Sequence, residues 1–257
     1  AFALRGGVFN IGVEGQYFIG GLVGALAGIY LDLPRALHIP VVVLAAMASF
    51  SSRGPTDDGR IKPDIMAPGT VTSALGDDND ASPSCPSGQT LSGTSMACPT
   101  VAGGAALQRQ YFTDGFYPSG SRTAADVRTP SGALMKAVLL NGTRDIASMP
   151  NNNYGWGRIW LNNNLHFASV ANDRRLRVWP KAHAVGLRTG QSDIYSFTAP
   201  AGAELRVTLA WFDPYPALGA AVQLVNNLDL EVTVPGGTVY RGNVFSGGQS
   251  TTGGSFD

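Results

Sequence analysis

Leu91-Ser92-Gly93-Thr94-Ser95-Met96-Ala97-Cys98-Pro99 is the stretch whose residue types bear most directly on chemistry. Ser95 sits among small residues. An uncharged run follows it, Pro99-Thr100-Val101-Ala102-Gly103-Gly104-Ala105-Ala106-Leu107, with the composition of a buried helix. A helix beginning near Ser95 points its unpaired first-turn N–H groups at whatever the hydroxyl attacks. Such donors stabilise the oxyanion of a tetrahedral intermediate. Pro99 is expected within the first helical turn, where its missing N–H costs nothing. The chemistry this arrangement fits is nucleophilic acyl transfer, for which a serine needs a base, normally histidine.

Two further segments precede the serine at short distance: Ser49-Phe50-Ser51-Ser52-Arg53-Gly54-Pro55 and Gly59-Arg60-Ile61-Lys62-Pro63-Asp64-Ile65-Met66-Ala67-Pro68-Gly69. Downstream, a helix is predicted over residues 131–140, with Thr129 as N-cap and Pro130 at the first helical position. Asn141-Gly142-Thr143 ends it, and Gly142 is expected in a left-handed cap. The same three residues fit a glycosylation sequon, but the helix end is the preferred reading. Tyr154-Gly155-Trp156-Gly157-Arg158-Ile159 follows.

In this order the segments resemble the subtilisin-like serine proteases, the subtilases. The resemblance implies that Ser95 is the nucleophile, with Gly93 and Thr94 forming its loop and the Ser95 N–H serving as one oxyanion donor. It also implies a polypeptide substrate and a parallel-sheet α/β catalytic domain. Residues 205–211 and 228–234 alternate apolar and polar positions with period two, the pattern of half-buried strands. Val225-Asn226-Asn227-Leu228-Asp229-Leu230 and Tyr240-Arg241-Gly242-Asn243 resemble the β-rich C-terminal domain of some bacterial subtilases. Trp156 and Trp211 are expected as core anchors.

A subtilase also needs an Asp box, a His-Gly-Thr-His box and an oxyanion asparagine before the serine, and these 257 residues contain none of them. The three histidines, His38, His166 and His183, stand outside any His-Gly-Thr context, and neither Asp32 nor Asn10 has the family's surroundings. The resemblance therefore implies a serine endopeptidase that is inactive in this form.

Residues 1–48 have another character. Residues 15–31 carry no charged side chain, the short end of the length for a membrane-spanning helix, and Gly20, Gly21, Gly24 and Gly28 suit close helix packing in a bilayer. Leu4-Arg5-Gly6-Gly7-Val8-Phe9-Asn10-Ile11-Gly12-Val13-Glu14-Gly15-Gln16 resembles ABC-transporter permeases of the sugar and nucleoside uptake type. Two unrelated resemblances meeting near residues 46–49 imply a chimera. The expected organisation is a hydrophobic helical segment at 1–48, the C-terminal half of a subtilase catalytic domain at 49–170, and a truncated β-sandwich or barrel at 171–257. The protease part is expected to be extracellular, and the first segment to associate with a membrane. A permease fragment and a non-catalytic binding module stay open as alternatives.

Eighteen Lys and Arg balance eighteen Asp and Glu, which argues against a nucleic-acid partner. The catalysis that the resemblance implies requires no cofactor. Structural calcium, which subtilases commonly bind, has candidate ligands in Asp213, Asn226, Asn227 and Asp229, and in Asp77, Asp78 and Asp80. With two cysteines in the chain, Cys98 is expected as a buried free thiol; a Cys85–Cys98 bridge is the alternative.

Overall fold

The computed structural model describes residues 51–74, 88–146, 148–170 and 174–255. The expected hydrophobic helix within 1–48, Cys85 and the acidic loop at 77–80 lie outside them. The described residues form a mixed α/β chain that divides into two compact units, one drawn from those up to Gly103 together with Asn151–Gly155, the other from those of Gly104–Pro150 and from Trp156 onward.

In the first unit β1 (Thr70–Ala74) and β2 (Gly88–Ser92) pair as an antiparallel hairpin, Thr70 opposite Ser92 and Val71 opposite Leu91. Helix α1 (Thr94–Thr113) starts directly after it. The motif glycines of this unit are set by close backbone approach. The Gly54 N–H donates to the carbonyls of Lys62 (2.9 Å) and Asn152 (3.0 Å), and a Cβ there would meet the Lys62 backbone at 2.7 Å. Gly155, at φ +59, lies against the Pro63 carbonyl so tightly that no side chain fits. The segments around Gly54, Lys62-Pro63 and Gly155, distant in sequence, are thus stacked backbone to backbone.

The second unit is built on the rest of α1 and on α2 (Gly132–Asn141). Helix α1 buries Gly104, Gln108, Tyr111 and Phe112, the spacing of one helical stripe. Tyr111 and Phe112 meet Tyr117 and Val138, with Phe116, Leu134, Met135, Leu165, Phe167, Leu176 and Val178 packed around them. The Tyr111 ring stands edge-on to Phe112 (5.7 Å) and Phe167 (5.4 Å), and its hydroxyl donates to the His166 carbonyl at 2.9 Å. Gln108, fully buried, donates from Nε2 to the Met135 carbonyl at 3.0 Å. Farther along, β3 (Glu231–Thr233), β4 (Val239–Ser246) and β5 (Gln249–Thr252) form an antiparallel three-stranded sheet.

Several expectations are corrected. The N-cap of α2 is Ser131, whose Oγ accepts from Leu134 N at 3.2 Å, so Pro130 precedes the helix. Gly142 has φ −86°, not a left-handed value. The Asn141 amide donates to the Arg206 carbonyl (2.9 Å) and Thr208 Oγ1 (3.1 Å), which engages the sequon nitrogen in the fold. Of the two expected strands, the second survives as β3, whereas residues 205–211 form none. There Arg206 and Thr208 turn toward the end of α2, and Leu205, Val207 and Leu209 are 47%, 39% and 40% exposed. The polar face is the inner one because it reaches the Asn141 amide and the Thr143 carbonyl. Among the described residues all strand pairing is antiparallel. Trp156 and Trp211 are half-buried, Trp156 edge-on to Phe245 at 5.8 Å.

Candidate active site

The hairpin and helix fix Ser95 from both sides. At the junction Gly93 is buried with φ +150, a backbone region that other residues rarely enter. Its N–H donates to the Gly69 carbonyl at 2.7 Å, and its carbonyl accepts from Met96 N at 3.1 Å. Gly69, the last residue of the Ala-Pro-Gly segment, therefore anchors the turn that launches α1. Across the hairpin end the hydroxyls of Thr70 and Ser92 lie 3.0 Å apart.

From that anchor Thr94 and Ser95 open the helix with both side chains exposed. Their N–H groups belong to the first turn and have no intrahelical acceptor. No described group hydrogen-bonds the Ser95 Oγ. The hydroxyl and a helix-terminal donor are thus presented side by side on a clamped backbone, which is the geometry an acyl-transfer nucleophile requires.

Pro99 lies deeper than expected. The helix begins at Thr94, so Pro99 is in the second turn, and its missing N–H deprives the Ser95 carbonyl of its i+4 partner. Thr100 Oγ1 donates to the Met96 carbonyl at 2.9 Å in the same turn. Cys98 is a free thiol but exposed, not buried, because its position on this turn faces away from the packed stripe of α1.

The described residues of the first unit contain no histidine. His166 and His183 belong to the second unit. His166 Nδ1 lies 3.3 Å from an Arg175 guanidinium nitrogen, and His183 opens a short 3-10 turn. His38 lies outside the described residues.

Among the calcium candidates, Asp213 accepts from the Val225 N–H (2.7 Å), the Asn226 N–H (3.0 Å) and Asn226 Nδ2 (2.8 Å). The Val225 N–H above all, together with the Asn226 donors, holds its carboxyl below the ordinary range against a smaller desolvation effect. Asn227 and Asp229 are exposed. Among the described residues no group of three or more His, Cys, Asp or Glu is arranged to hold a metal ion, and no helix is long and apolar enough to cross a membrane.

Sequence reasoning missed a polar network in the second unit. Arg206 donates to the Thr143 carbonyl (2.6 Å) and pairs with Glu204 (2.5 Å) and Asp145 (3.3 Å), while Arg174 holds the other Glu204 oxygen at 2.6 Å. Nothing local signals the contacts of Arg206 with Thr143 and Asp145, which join positions some sixty residues apart.

Comparison with known proteins agrees with the geometry. The profile of the Subtilase family matches residues 41–157, starting upstream of the first motif and ending at Gly157. The serine protease/ABC transporter B family protein tagD of Dictyostelium discoideum is 34% identical over 240 residues, covering 73% of this chain and 13% of that protein. The serine protease AprX of Bacillus subtilis is 36% identical over 126 residues, 46% of this chain and 25% of its own length. The guanosine ABC transporter permease protein NupP of Bacillus subtilis is 43% identical over 49 residues, 19% of this chain and 14% of that protein. The chain thus spans a small part of the relatives it matches. Residues 41–157, with Ser95 at the start of a clamped helix, belong to the subtilase family.

Proposed function

We propose that this chain contains the nucleophile-bearing portion of a subtilisin-like serine endopeptidase acting on polypeptides. The observation that carries the reading is the exposed Ser95 hydroxyl beside unpaired first-turn N–H groups, on a turn locked by the Gly93–Gly69 hydrogen bond. Ser95 Oγ attacks the scissile carbonyl, and the Ser95 N–H donates to the oxygen that becomes negative. A histidine takes the serine proton and returns it to the leaving amine, while an aspartate orients the imidazole. These 257 residues supply the nucleophile and one oxyanion donor but neither partner in a recognisable box, so by themselves they are catalytically inert. No cofactor enters this chemistry. The family likeness of 41–157 supports a finer reading of the architecture as the latter half of a subtilase parallel-sheet domain followed by a β-rich domain, and supports secretion of the protease part.

A fluorophosphonate probe tests the inertness. The expected result is labelling of the 257-residue chain no greater than that of its Ser95→Ala variant. Efficient labelling that Ser95→Ala abolishes would show that a base is present and overturn the claim.

A second reading, membrane attachment through residues 1–48, rests on their resemblance to ABC-transporter permeases and is supported by the 49-residue likeness to NupP. Sedimentation of the chain with liposomes supports it, and a detergent-free soluble monomer overturns it.

A further inference from the structure

Arg144 and Arg158 face each other across an isolated antiparallel bridge, Arg144 N donating to the Arg158 carbonyl (2.8 Å) and Arg158 N to the Arg144 carbonyl (3.0 Å). Directly opposed residues send their side chains to the same side, and like charges so placed repel. Both guanidiniums lie over the ring of Trp160, at 5.1 and 5.3 Å from its centroid, and that ring is 38% exposed. The aromatic face draws in each cation but neutralises neither.

No carboxylate of the described residues pairs with Arg144 or Arg158. Asp145, next along the chain, is taken by Arg206, which also holds Glu204 together with Arg174. Asp145 and Glu204 are thus already engaged by Arg206 and Arg174. The platform beneath Arg144 and Arg158 is rigid. Gly157, at φ +113, brings its backbone so close to the Arg144 carbonyl that a Cβ would sit 2.8 Å from that oxygen. On the flank, Thr143 Oγ1 donates to the Trp156 carbonyl at 2.5 Å. Among the described residues, exposed Arg144 and half-buried Arg158 thus present two guanidinium forks without a carboxylate partner beside an accessible indole.

We infer that Arg144, Arg158 and Trp160 form a binding site for the carboxylates of an acidic polypeptide segment. Guanidinium forks match carboxylates in bidentate geometry, and the half-exposed indole offers apolar surface to the methylenes of glutamate. Nucleic acid is disfavoured, because useful affinity needs many neutralised phosphates, whereas two unmatched cations suffice for one or two carboxylates. The site is independent of the reading of Ser95.

The test uses the full chain and a fluorescently labelled, acetylated tetraglutamate peptide, followed by anisotropy at low salt. Binding is expected, weakening with added salt, absent for the tetraglutamine analogue, and about tenfold weaker in each of Arg144→Gln and Arg158→Gln. Arg144→Lys keeps part of the affinity, because the charge stays and the fork is lost. Near-UV circular dichroism of each variant excludes misfolding as the cause. No binding by the wild type, undiminished binding by the folded double Gln variant, or equal binding of tetraglutamine overturns the proposal. So does displacement of the peptide by inorganic phosphate at concentrations where equimolar chloride has no effect, which would make the site a general oxyanion site.

Discussion

The side-chain amide of Asn164 fills the space that a Cβ on Gly142 would need, and from there donates to the Val138 carbonyl near the end of α2. Gly142 N donates to the same carbonyl at 3.1 Å, and Asn163 Nδ2 to the Gly142 carbonyl at 3.0 Å. The end of α2 is thus capped by side chains arriving from some twenty residues later in the chain, with glycine required for their access rather than for its φ.

Gly142→Ala is expected to destabilise by about 1–3 kcal/mol through overpacking. Asn164→Ala is expected to cost about 0.5–1.5 kcal/mol through the lost hydrogen bond to the Val138 carbonyl, which keeps the Gly142 N–H. Because Asn164→Ala also removes the clash, the double variant loses less than the sum. Urea denaturation of the four proteins measures this coupling, and strict additivity would refute the contact.

Acid should loosen the second unit. Burial pushes the Glu204 carboxyl up, but hydrogen bonds and charges from Arg206 and Arg174 outweigh it and hold the group below its ordinary value. A carboxyl depressed in the folded state contributes stability that is complete above its unfolded pKa, about 4.3, and is lost as pH falls through the folded value. Asp213, depressed chiefly by the Val225 N–H, acts in the same direction. The urea midpoint is expected to hold between pH 7 and 5 and to fall below about pH 4. Glu204→Gln should have a lower midpoint at pH 7 and a shallower acid slope. An unchanged slope would remove Glu204 from the account.

Chelation addresses the loop of Asp213, Asn227 and Asp229. Asp213 already accepts three N–H donors, so its clamp on Val225 and Asn226 stands without an ion. The expected melting temperature is the same with and without EDTA, whereas Asp213→Asn lowers it by weakening the clamp. A loss on chelation that calcium restores and Asp213→Asn abolishes would instead assign an ion to this loop.

The exposed thiol of Cys98 should react with Ellman's reagent in the folded protein. Cys98→Ser is expected to lower the native thiol count by one, and an unchanged count would mean that the thiol is shielded.

The residues around Ser95 were legible in the sequence because their constraints are local. A serine among small residues, followed by an uncharged run, writes a helix start in consecutive positions, whereas the hairpin before it and the Gly93 turn emerged only in the structure. Helix α2 was legible for the same reason, its length and position following from a short apolar run between Ser131 and Gly142. Its two ends were misread, since Thr129-Pro130 and Ser131 offer competing caps and only the fold selects the Ser131 hydroxyl.

Other features depended on what came from elsewhere in the chain. The period-two pattern of 205–211 specifies two distinct faces but not which one turns inward; the Asn141 amide and Thr143 carbonyl drew in Arg206 and Thr208, leaving Leu205, Val207 and Leu209 outward. Likewise Arg144 and Arg158, fourteen positions apart, gave no sign of meeting over Trp160. The sequence alone determined the start of the helix near Ser95 and the family, because each is encoded in contiguous residues with short-range steric and hydrogen-bonding rules. The tertiary structure decided the cap at Gly142, the facing of 205–211 and the paired guanidiniums, because each depends on which distant backbone groups lack hydrogen-bond partners and which side chains can reach them.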